Sequence, residues 1–493
     1  MTTSLLAEGT AVRVSGPDAG AELLAAARGA ASVPVARVGS TGATALEPLV
    51  LATDGGRTAL YYRAAAEDAA AAAGGLADGT FGGDPDAVVE HDPGTGTLPV
   101  PADGPLSVGS RRALGRAGWV APDSVDDHAA AGGFAAEDAD EAALLAAAEG
   151  VRGRGWGDGA TDEPAGELWA RVREAAGDPA VVVNAHGTTA DRLLVEGTPL
   201  TVLEGAVAAA RVVGASEVVL YLSAADDRAR ERAAAAVEAY DAPVDLRVAT
   251  GEPAYMAAEP TMALEAIEGN HRLEARLRPP GPAEVGLNGR PTLIHTPRTL
   301  AQVLLALDGD PTRLVTVEGD VEDGATVELP PDGTLGEAVA AVEPTAPVKA
   351  ACVGGPFGGL TGDLDVPVSA EALAGADLGT EGVVELLAEG RCSVAFAGER
   401  ARFAEEENCG RCVPCREGSQ QLTELLREVY DGSYRPDALA ELMGVMESTS
   451  ICAFGVDAPR PVRTAMAEFE REFEAHADGR CPAGACENLE ART

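Results

Sequence analysis

The spacing of the cysteines near the C-terminus constrains this chain more than any other feature of its sequence. Cys409, Cys412 and Cys415 form a C-x2-C-x2-C run, and Cys452 follows 37 residues later. Two intervening residues let a chain curl so that successive thiolates converge on one metal centre, and a remote fourth thiolate closes the cage. The pattern therefore predicts one metal site with four thiolate ligands that ties together two parts of a helical region.

Soft thiolate ligands select either an iron-sulfur cluster or zinc. Zinc knots usually pair two C-x2-C units, whereas three clustered cysteines and one distant cysteine are typical of a [4Fe-4S] cubane. We therefore predict a [4Fe-4S] cluster, with a zinc knot as the alternative. Gly410 and Pro414 suit a turn that brings backbone N–H groups close to the sulfides.

The other four cysteines also lie within the last 142 residues, and a chain this long is not a small disulfide scaffold. A zinc site of three thiolates and one imidazole is predicted from Cys392, His476, Cys481 and Cys486. The alternative is that the last two are free thiols on a tail. Cys352 lies in the apolar run AACVGG and is predicted to be a small buried hydrophobe.

Acidic residues dominate the composition, with 79 Asp and Glu against 37 Lys and Arg, a net charge of -42. Such a chain repels nucleic acid and anionic lipid, so neither is expected as a partner. The charge is spread over the whole length, which favours adaptation to concentrated salt. No run of about eighteen apolar residues and no signal peptide occur. We expect a cytoplasmic protein without direct membrane insertion, peripheral to a membrane at most through a complex.

The sequence divides into parts with different patterns, and its length suggests roughly three or four domains. Residues 1–100 alternate short apolar runs with alanine-rich helices, and residues 105–300 alternate strands such as VVVNA and EVVLYLS with helices, which predicts a mostly parallel sheet. Residues 301–387 suggest a small α/β module that begins with a hairpin. Residues 388–480 contain four segments with helical periodicity, followed by a tail, 481–493. The predicted fold class is α/β, multidomain.

The cysteine-containing run ENCGRCVPCREG and the later run STSICAFGVDAPRPVRTAMAEFEREFEAH resemble a known family. It is the flavoprotein subunit of NADH:quinone oxidoreductase, the 51 kDa or F-type subunit, with the related subunits of NAD-linked hydrogenases and formate dehydrogenases. The run VRGRG resembles the flavin loop of that family. The resemblance implies a Rossmann-like flavin domain at 105–300, a ubiquitin-like (SLBB) module at 301–387 and a four-helix bundle with the cluster at 388–480.

The N-terminal residues 1–100 resemble the thioredoxin-like ferredoxin domain that is fused to some members of this family. Ser40 and Thr44 stand where two cysteine ligands of a [2Fe-2S] cluster would be, and hydroxyls do not replace thiolates there. The resemblance therefore implies a degenerate, metal-free domain that serves packing or partner contact.

The resemblance also implies a flavin site. Glycines in the loop VRGRGWGDG let backbone N–H groups approach a phosphate, and an arginine adds positive charge. The residues implied to bind FMN or nucleotide are Gly153, Arg154, Gly155, Gly157, Asn184, Glu259 and Thr299.

Several positions depart from the family pattern around this site. Leu168 replaces a lysine, Pro260 replaces a glutamate, and His295 and Thr296 replace paired asparagines. The acidic loop of the family is shortened after Asn184 to AHGTTADR, without its carboxylates. His186 and His295 are either replacement contacts or ordinary satisfied polar residues.

Two functions follow from these features. The leading hypothesis is an electron-transfer subunit that passes electrons from NADH through FMN to the [4Fe-4S] cluster and on to other iron-sulfur subunits of a redox complex. The alternative is a non-enzymatic subunit that carries the cluster but has lost FMN and NADH binding. The altered loops favour the alternative, whereas the retained VRGRG run, Asn184 and Thr299 favour the leading hypothesis.

Overall fold

The computed structural model describes residues 4–6, 9–16 and 20–486 of the chain. In these residues the protein is a mixed α/β structure with three separate sheets and a helical C-terminal region. The predicted class, α/β with several domains, agrees with this arrangement.

The N-terminal part is a five-stranded sheet with two helices on one face. Its elements are β1 (Thr10–Ser15), α1 (Gly20–Ala30), β2 (Val35–Arg37), β3 (Leu49–Asp54), β4 (Arg57–Tyr61), α2 (Ala66–Ala77) and β5 (Ala87–Glu90). The strand order is β2-β1-β3-β4-β5, in which only the β1–β2 pair is parallel. The helices meet through small side chains such as Ala27, Ala69 and Ala73, which lie in one buried cluster with the strands.

Ser40 and Thr44 lie in the segment between β2 and β3, and both make hydrogen bonds within the protein. Ser40 Oγ donates to Glu47 Oε1 at 2.7 Å, and Thr44 Oγ1 donates to the Gly324 carbonyl. These hydroxyls therefore fix the segment and attach it to the third sheet. That this part of the chain binds no metal stays a prediction.

The central part begins with three short helices and continues with alternating strands and helices. The elements are α3 (Val125–Ala130), α4 (Ala135–Asp138), α5 (Glu141–Glu149), α6 (Ala165–Glu174), β6 (Ala180–Asn184), α7 (Thr189–Gly197), α8 (Pro199–Val213), β7 (Glu217–Ser223), α9 (Asp227–Ala239), β8 (Asp245–Gly251), α10 (Pro260–Ile267), β9 (Thr292–His295) and α11 (Pro297–Leu305). The predicted parallel sheet is confirmed, with strand order β8-β7-β6-β9.

Alternation along β6, β7 and β9 buries both faces of this sheet. Val181, Val183 and Leu220 face the core that contains α8 and α9, whereas Val182 and Ile294 face α10. Since β7 lies on one side of β6 and β9 on the other, the strand order reverses between β6 and β9. The carboxyl ends of these two strands are the place where open parallel sheets usually bind ligands.

The third part is a second five-stranded sheet with two short helices. Its elements are β10 (Arg313–Gly319), β11 (Ala325–Leu329), α12 (Leu335–Val339), β12 (Val348–Val353), β13 (Gly359–Thr361), α13 (Ala370–Gly375) and β14 (Val383–Ala388), in the order β11-β10-β14-β12-β13. The predicted hairpin is the antiparallel pair β10–β11. Thr334 and Glu337 form a capping box that starts α12.

The C-terminal part contains α14 (Ser393–Glu407), α15 (Val413–Tyr430), α16 (Pro436–Thr449), α17 (Ala453–Asp457), α18 (Arg460–Glu468) and α19 (Glu470–Ala477). Apolar residues three and four apart form the inner faces, for example Leu422, Leu426 and Val429 on α15. The last of the four segments with predicted helical periodicity, PVRTAMAEFEREFEAH, is two helices, because the backbone at Phe469 (φ -124°, ψ 33°) is not helical.

Among residues 4–6, 9–16 and 20–486, no single helix has both the length and the apolar composition needed to cross a membrane. Only α7 and α8 taken together meet that test, and the pair is bent by 100°.

Candidate metal centre and glycine loop

The first site is formed by the ends of three C-terminal helices. Cys409 follows the end of α14, Cys412 is the N-cap of α15, Cys415 lies in its first turn, and Cys452 is the N-cap of α17. All four side chains line one small pocket. The antiparallel return through α16 brings Cys452 back to the loop, so the sequence prediction that the four thiols converge agrees with the geometry.

The loop that holds the first three cysteines is organised by its own polar groups. Asn408 Nδ2 donates to the Ala404 and Glu405 carbonyls at the end of α14, and its Oδ1 accepts the Gly410 N–H at 3.0 Å. Gly410 has φ +74°, which glycine adopts without strain. The turn is therefore held by hydrogen bonds within the protein itself.

The electrostatics of the pocket show how close the thiols are. Burial raises the pKa of Cys415, and the neighbouring thiols of Cys412, Cys452 and Cys409 raise it further. Burial also raises the pKa of Cys452 to about 12, against hydrogen bonds from the Phe454 and Gly455 N–H groups. Because a metal binds the thiolate form, metal binding at this site would displace the thiol protons. N–H groups directed at a thiolate are the environment that tunes iron-sulfur clusters.

An aromatic contact connects this pocket to the glycine loop. Phe454 lines the cysteine pocket, and its ring centroid lies 6.1 Å from Trp156 and 6.2 Å from Tyr255. Trp156 stacks on Tyr255 with a centroid distance of 4.9 Å and an interplanar angle of 5°, and its Nε1 donates to the Tyr255 carbonyl. The loop predicted to bind flavin therefore lies next to the predicted cluster.

A cavity of about 300 Å³ lies beside these rings, between the glycine loop, the third sheet and α17. Gly155, Trp156 and Tyr255 form part of its wall, and its charged lining consists of Asp162, Asp377, Glu381, Asp457 and Arg460. Burial raises the pKa of Glu381 to about 7. Sequence reasoning missed these carboxylates because they come from separate parts of the chain.

The residues implied to bind flavin lie at the carboxyl edge of the parallel sheet, but most are engaged with the protein itself. Asn184 Nδ2 donates to the Gly157 and Ala258 carbonyls at 2.9 and 2.8 Å. Glu259 caps α10 by accepting the Thr261 and Met262 N–H groups, and it forms an ion pair with Arg278.

A buried network that the sequence reasoning did not predict occupies the start of α11. Asp158 accepts hydrogen bonds from the Ala160 N–H (2.8 Å), the Thr296 N–H (3.1 Å) and Thr299 Oγ1 (2.8 Å). His295 Nδ1 lies 3.0 Å from the same carboxylate. The only sequence feature that could have indicated this network is the aspartate, Asp158, inside the glycine-rich run GWGDG.

Trp169 fixes the tautomer of His295. The indole Nε1 is a donor only, and it donates to His295 Nε2 at 2.9 Å, so the histidine proton sits on Nδ1 and faces Asp158. Burial pushes the pKa of Asp158 upward, but His295 and the hydrogen bonds outweigh it and bring the pKa below its usual value. Asp158 is therefore an anion held inside the protein.

The other histidine considered as a contact, His186, is satisfied on one ring nitrogen only, because its Nδ1 is buried without a hydrogen-bond partner. Its Nε2 lies 2.8 Å from the Glu252 carbonyl, and its ring stacks on Tyr221 at 5.4 Å. For His295 the structure therefore favours the interpretation as a satisfied polar residue, whereas His186 keeps one unpaired ring nitrogen.

The glycine loop in this arrangement does not fit the phosphate of FMN. The donors at the start of α11 already hold Asp158, and a phosphate placed there would meet its negative charge. Arg154 Nε is buried without a hydrogen-bond partner, which would suit an anion, and the charged groups that act on its guanidinium are two carboxylates and two arginines: Asp162, Arg298, Asp158 and Arg152. The Arg154 N–H itself donates to Thr299 Oγ1 at 2.9 Å.

A second group of metal-ligating side chains lies at the other end of the bundle. The ligand atoms of all four residues of the predicted zinc site lie within 4.8 Å of one another: Cys392, His476, Cys481 and Cys486. His476 Nε2 is 3.2 Å from Cys392 Sγ, and its Nδ1 lies 2.6 Å from the Glu472 carbonyl, which directs Nε2 toward the sulfurs.

The remaining cysteine, Cys352, is fully buried in β12, as predicted. Residues 487–493 of the predicted tail lie outside the described residues.

Comparison with known proteins gives matches to both regions. Residues 395–476 match the family described as NADH-ubiquinone oxidoreductase-F iron-sulfur binding region, and residues 147–305 match the Nuo51 FMN-binding domain. The chain is 31% identical to the second F-type subunit of the NADH-quinone oxidoreductases of Rhizobium meliloti (strain 1021) over 387 residues, which are 70% of this chain and 90% of the relative. The chain belongs to the F-type (51 kDa) subunit family of NADH-quinone oxidoreductases.

Other relatives in this family include hydrogenase subunits. The HndC subunit of the NADP-reducing hydrogenase of Solidesulfovibrio fructosivorans is 28% identical over 77% of this chain and 86% of its own length. A chain of the NAD+-reducing [NiFe]-hydrogenase in the H2-reduced state superposes with a TM-score of 0.63 at 25% identity, covering 98% of this chain and 87% of that chain. The resemblance to the 51 kDa flavoprotein family is thereby confirmed, and both its FMN-binding domain and its iron-sulfur binding region are matched.

Proposed function

We propose that this chain is an electron-transfer subunit that carries one [4Fe-4S] cluster on Cys409, Cys412, Cys415 and Cys452. The observation that carries the proposal is the convergence of these four thiols, from three helix ends, in one pocket within the region that matches the iron-sulfur family. Such a cluster accepts and releases one electron at a time.

The protein's own residues hold the ligands in place. Met262, Ile451 and Phe454 give the pocket an apolar wall, which would shield one side of a bound cluster from solvent. Arg411 anchors the ligand loop through an ion pair with Glu274 at 3.4 Å. Because the loop is fixed on both sides, the ligands need little rearrangement, which suits rapid electron transfer.

The partners we propose are other iron-sulfur subunits of a redox complex. The relatives are themselves described as subunits, of NADH-quinone oxidoreductase and of hydrogenases. Val413, between two ligands, is 59% exposed, so one side of the cluster loop is open to a partner. With a net charge of -42, the chain is not expected to bind nucleic acid or to insert directly into a membrane. A cytoplasmic location, peripheral to a membrane through the complex, fits these partners.

A second candidate function keeps the flavin. The match of residues 147–305 to the Nuo51 FMN-binding domain favours an NADH dehydrogenase subunit, in which electrons pass from NADH through FMN to the cluster. The buried Asp158 network at the start of α11 argues against it. Both versions share the cluster and differ in the electron donor.

The finer domain assignment is also part of the proposal. We assign residues 1–100 to a degenerate thioredoxin-like domain, 105–300 to a Rossmann-like flavin domain, 301–387 to a ubiquitin-like SLBB module, and 388–480 to an iron-sulfur four-helix bundle. The three sheets and the long antiparallel helices α14, α15 and α16 support these assignments.

At the far end of the bundle we propose a structural zinc site. Three thiols and one imidazole within 4.8 Å of one another form a set of four donors, which is typical of structural zinc. The metal would join the tail residues Cys481 and Cys486 to α19 and to the start of α14. Its role is stability, since the donor set leaves no open position for a substrate.

Metal analysis of anaerobically purified protein in molar salt tests the main proposal. The wild type is expected to hold about four iron atoms per chain and a broad absorbance that bleaches with dithionite. Cys415→Ser should lose most of the iron, whereas Cys352→Ser, the matched control at a buried cysteine outside the pocket, should keep it. Zinc in place of iron at the first site, or full iron content in Cys415→Ser, would overturn the proposal.

A further inference from the structure

The junction between β6 and β9 is the position where an open parallel sheet with this strand order receives its ligand. Helix α11 begins there, with Thr296 as its N-cap and the glycine loop beside it. Helix N-termini and glycine loops bind phosphate because their N–H groups are free and the helix dipole favours an anion.

The donors hold the carboxylate of Asp158. Its two oxygens accept the Ala160 N–H, the Thr296 N–H, Thr299 Oγ1 and the Nδ1 proton of His295, all within 2.8–3.1 Å. The Asp158 and His295 side chains have no exposed surface. A carboxylate with two oxygens and four donors is fully coordinated, so Asp158 supplies the anion that this part of the fold is built to hold.

The aromatic ring at this edge of the sheet also has a stacking partner from the chain itself. Tyr255 follows β8 at the carboxyl edge, and the face of its ring is covered by Trp156 from the same glycine loop. The backbone of the loop is tied down too, because Asn184 donates both to the Gly157 carbonyl and to the Ala258 carbonyl. A planar ring system cannot stack on that face of Tyr255 while the indole stays there.

We propose that the glycine loop of this chain is a self-filled ligand site, in which Asp158 replaces a phosphate and Trp156 replaces a flavin ring, so that the chain binds no FMN. The cluster then receives one electron from a one-electron carrier on a partner subunit and returns one electron to another such carrier. In that scheme the central domain acts as a rigid spacer that holds the cluster-binding helices. The electron route rests on the cluster proposed above, whereas the closure of the flavin site does not depend on which metal the cysteines hold.

The test is a titration of the full-length protein with FMN in molar salt, followed by flavin fluorescence, together with release of flavin by denaturation of the freshly purified protein. The wild type is expected to release no flavin and to show no saturable quenching. The double variant Trp156→Gly, Asp158→Gly removes both filling groups and is expected to show saturable quenching, with an FMN affinity about 100-fold above the detection limit set by the wild-type titration, which corresponds to restoring a few hydrogen bonds and one stacking contact. Trp156→Phe, the matched control, keeps a ring and the carboxylate and should behave as the wild type.

Stoichiometric FMN in the wild type would overturn the proposal. A folded double variant with no gain in FMN affinity would also overturn it, because Asp158 and Trp156 would then not be the groups that close the site. If the double variant does not fold, the wild-type titration alone decides. Iron is measured on the same samples, so a failure of the cluster proposal appears as missing iron whatever the flavin result.

Discussion

Replacing Asp158 by asparagine should destabilise the protein strongly, although the two side chains have nearly the same shape. The asparagine oxygen can still accept the Ala160 N–H, but its NH2 group then faces the Thr296 N–H and the Thr299 hydroxyl, which are donors in the wild type. Two hydrogen bonds to a charged acceptor are lost at about 1.5–3 kcal/mol each. Because the site has no exposed surface, solvent does not screen the effect, and we expect a loss of about 3–5 kcal/mol.

Urea unfolding in molar salt, followed by tryptophan fluorescence, measures this loss. Trp169 donates to His295 inside the network and therefore reports directly on it. The matched control is Asp84→Asn, at an exposed aspartate, for which no change in the free energy of unfolding is expected.

Folding lowers the pKa of Asp158. The ionised carboxylate therefore stabilises the folded state fully above the unfolded pKa near 3.8, and this stabilisation is lost as the pH falls through the lower folded pKa. The difference between wild type and Asp158→Asn should shrink in acid. A difference below about 1 kcal/mol at pH 7 would refute the buried-anion reasoning, since even one lost hydrogen bond to a charge exceeds it.

Three further predictions concern other groups. Glu381→Gln should remove a pH dependence of the free energy of unfolding. Burial raises the folded pKa of Glu381 from 4.5 to about 7, so the wild type should lose on the order of 3 kcal/mol of stability as the pH rises through that interval. Urea unfolding at pH 5 and pH 8 measures this loss, and the control Glu389→Gln, at an exposed site, should leave the wild-type profile unchanged. Cys412→Ser should abolish the cluster and lower the midpoint of bundle unfolding, and a variant with full iron content by elemental analysis would contradict the ligand assignment. His476→Ala should release about one zinc per chain without loss of iron, and unchanged zinc content would contradict the zinc site.

The strands, helices and metal ligands that could be predicted from the sequence are those that one local pattern of residues determines. The strands β6 and β7 are continuous apolar runs, and α15 and α16 carry apolar residues three and four apart, so period alone identified them. The four thiols of the cluster site were found because metal ligands have characteristic spacing. The zinc donor set was predicted from its ligand types, because Cys392 and His476 are far apart in sequence and have no characteristic spacing.

The network around Asp158 was not predicted, for a physical reason. Its role depends on donors from the start of α11, more than a hundred residues away, and no periodicity connects the two segments. A lone aspartate in a glycine-rich loop is usually a solvated turn residue. The break at Phe469 was missed in the same way, because the apolar spacing continues through it while the backbone does not.

Cys452 lies on its own helix, far along the chain from its three partners. The other three sulfurs sit on one short turn, so the set of four ligands is complete only when α15 and α16 pack against each other. Chelators should therefore strip iron fastest from chains with a loosened α15–α16 hairpin, and protection against them reports that the hairpin has closed.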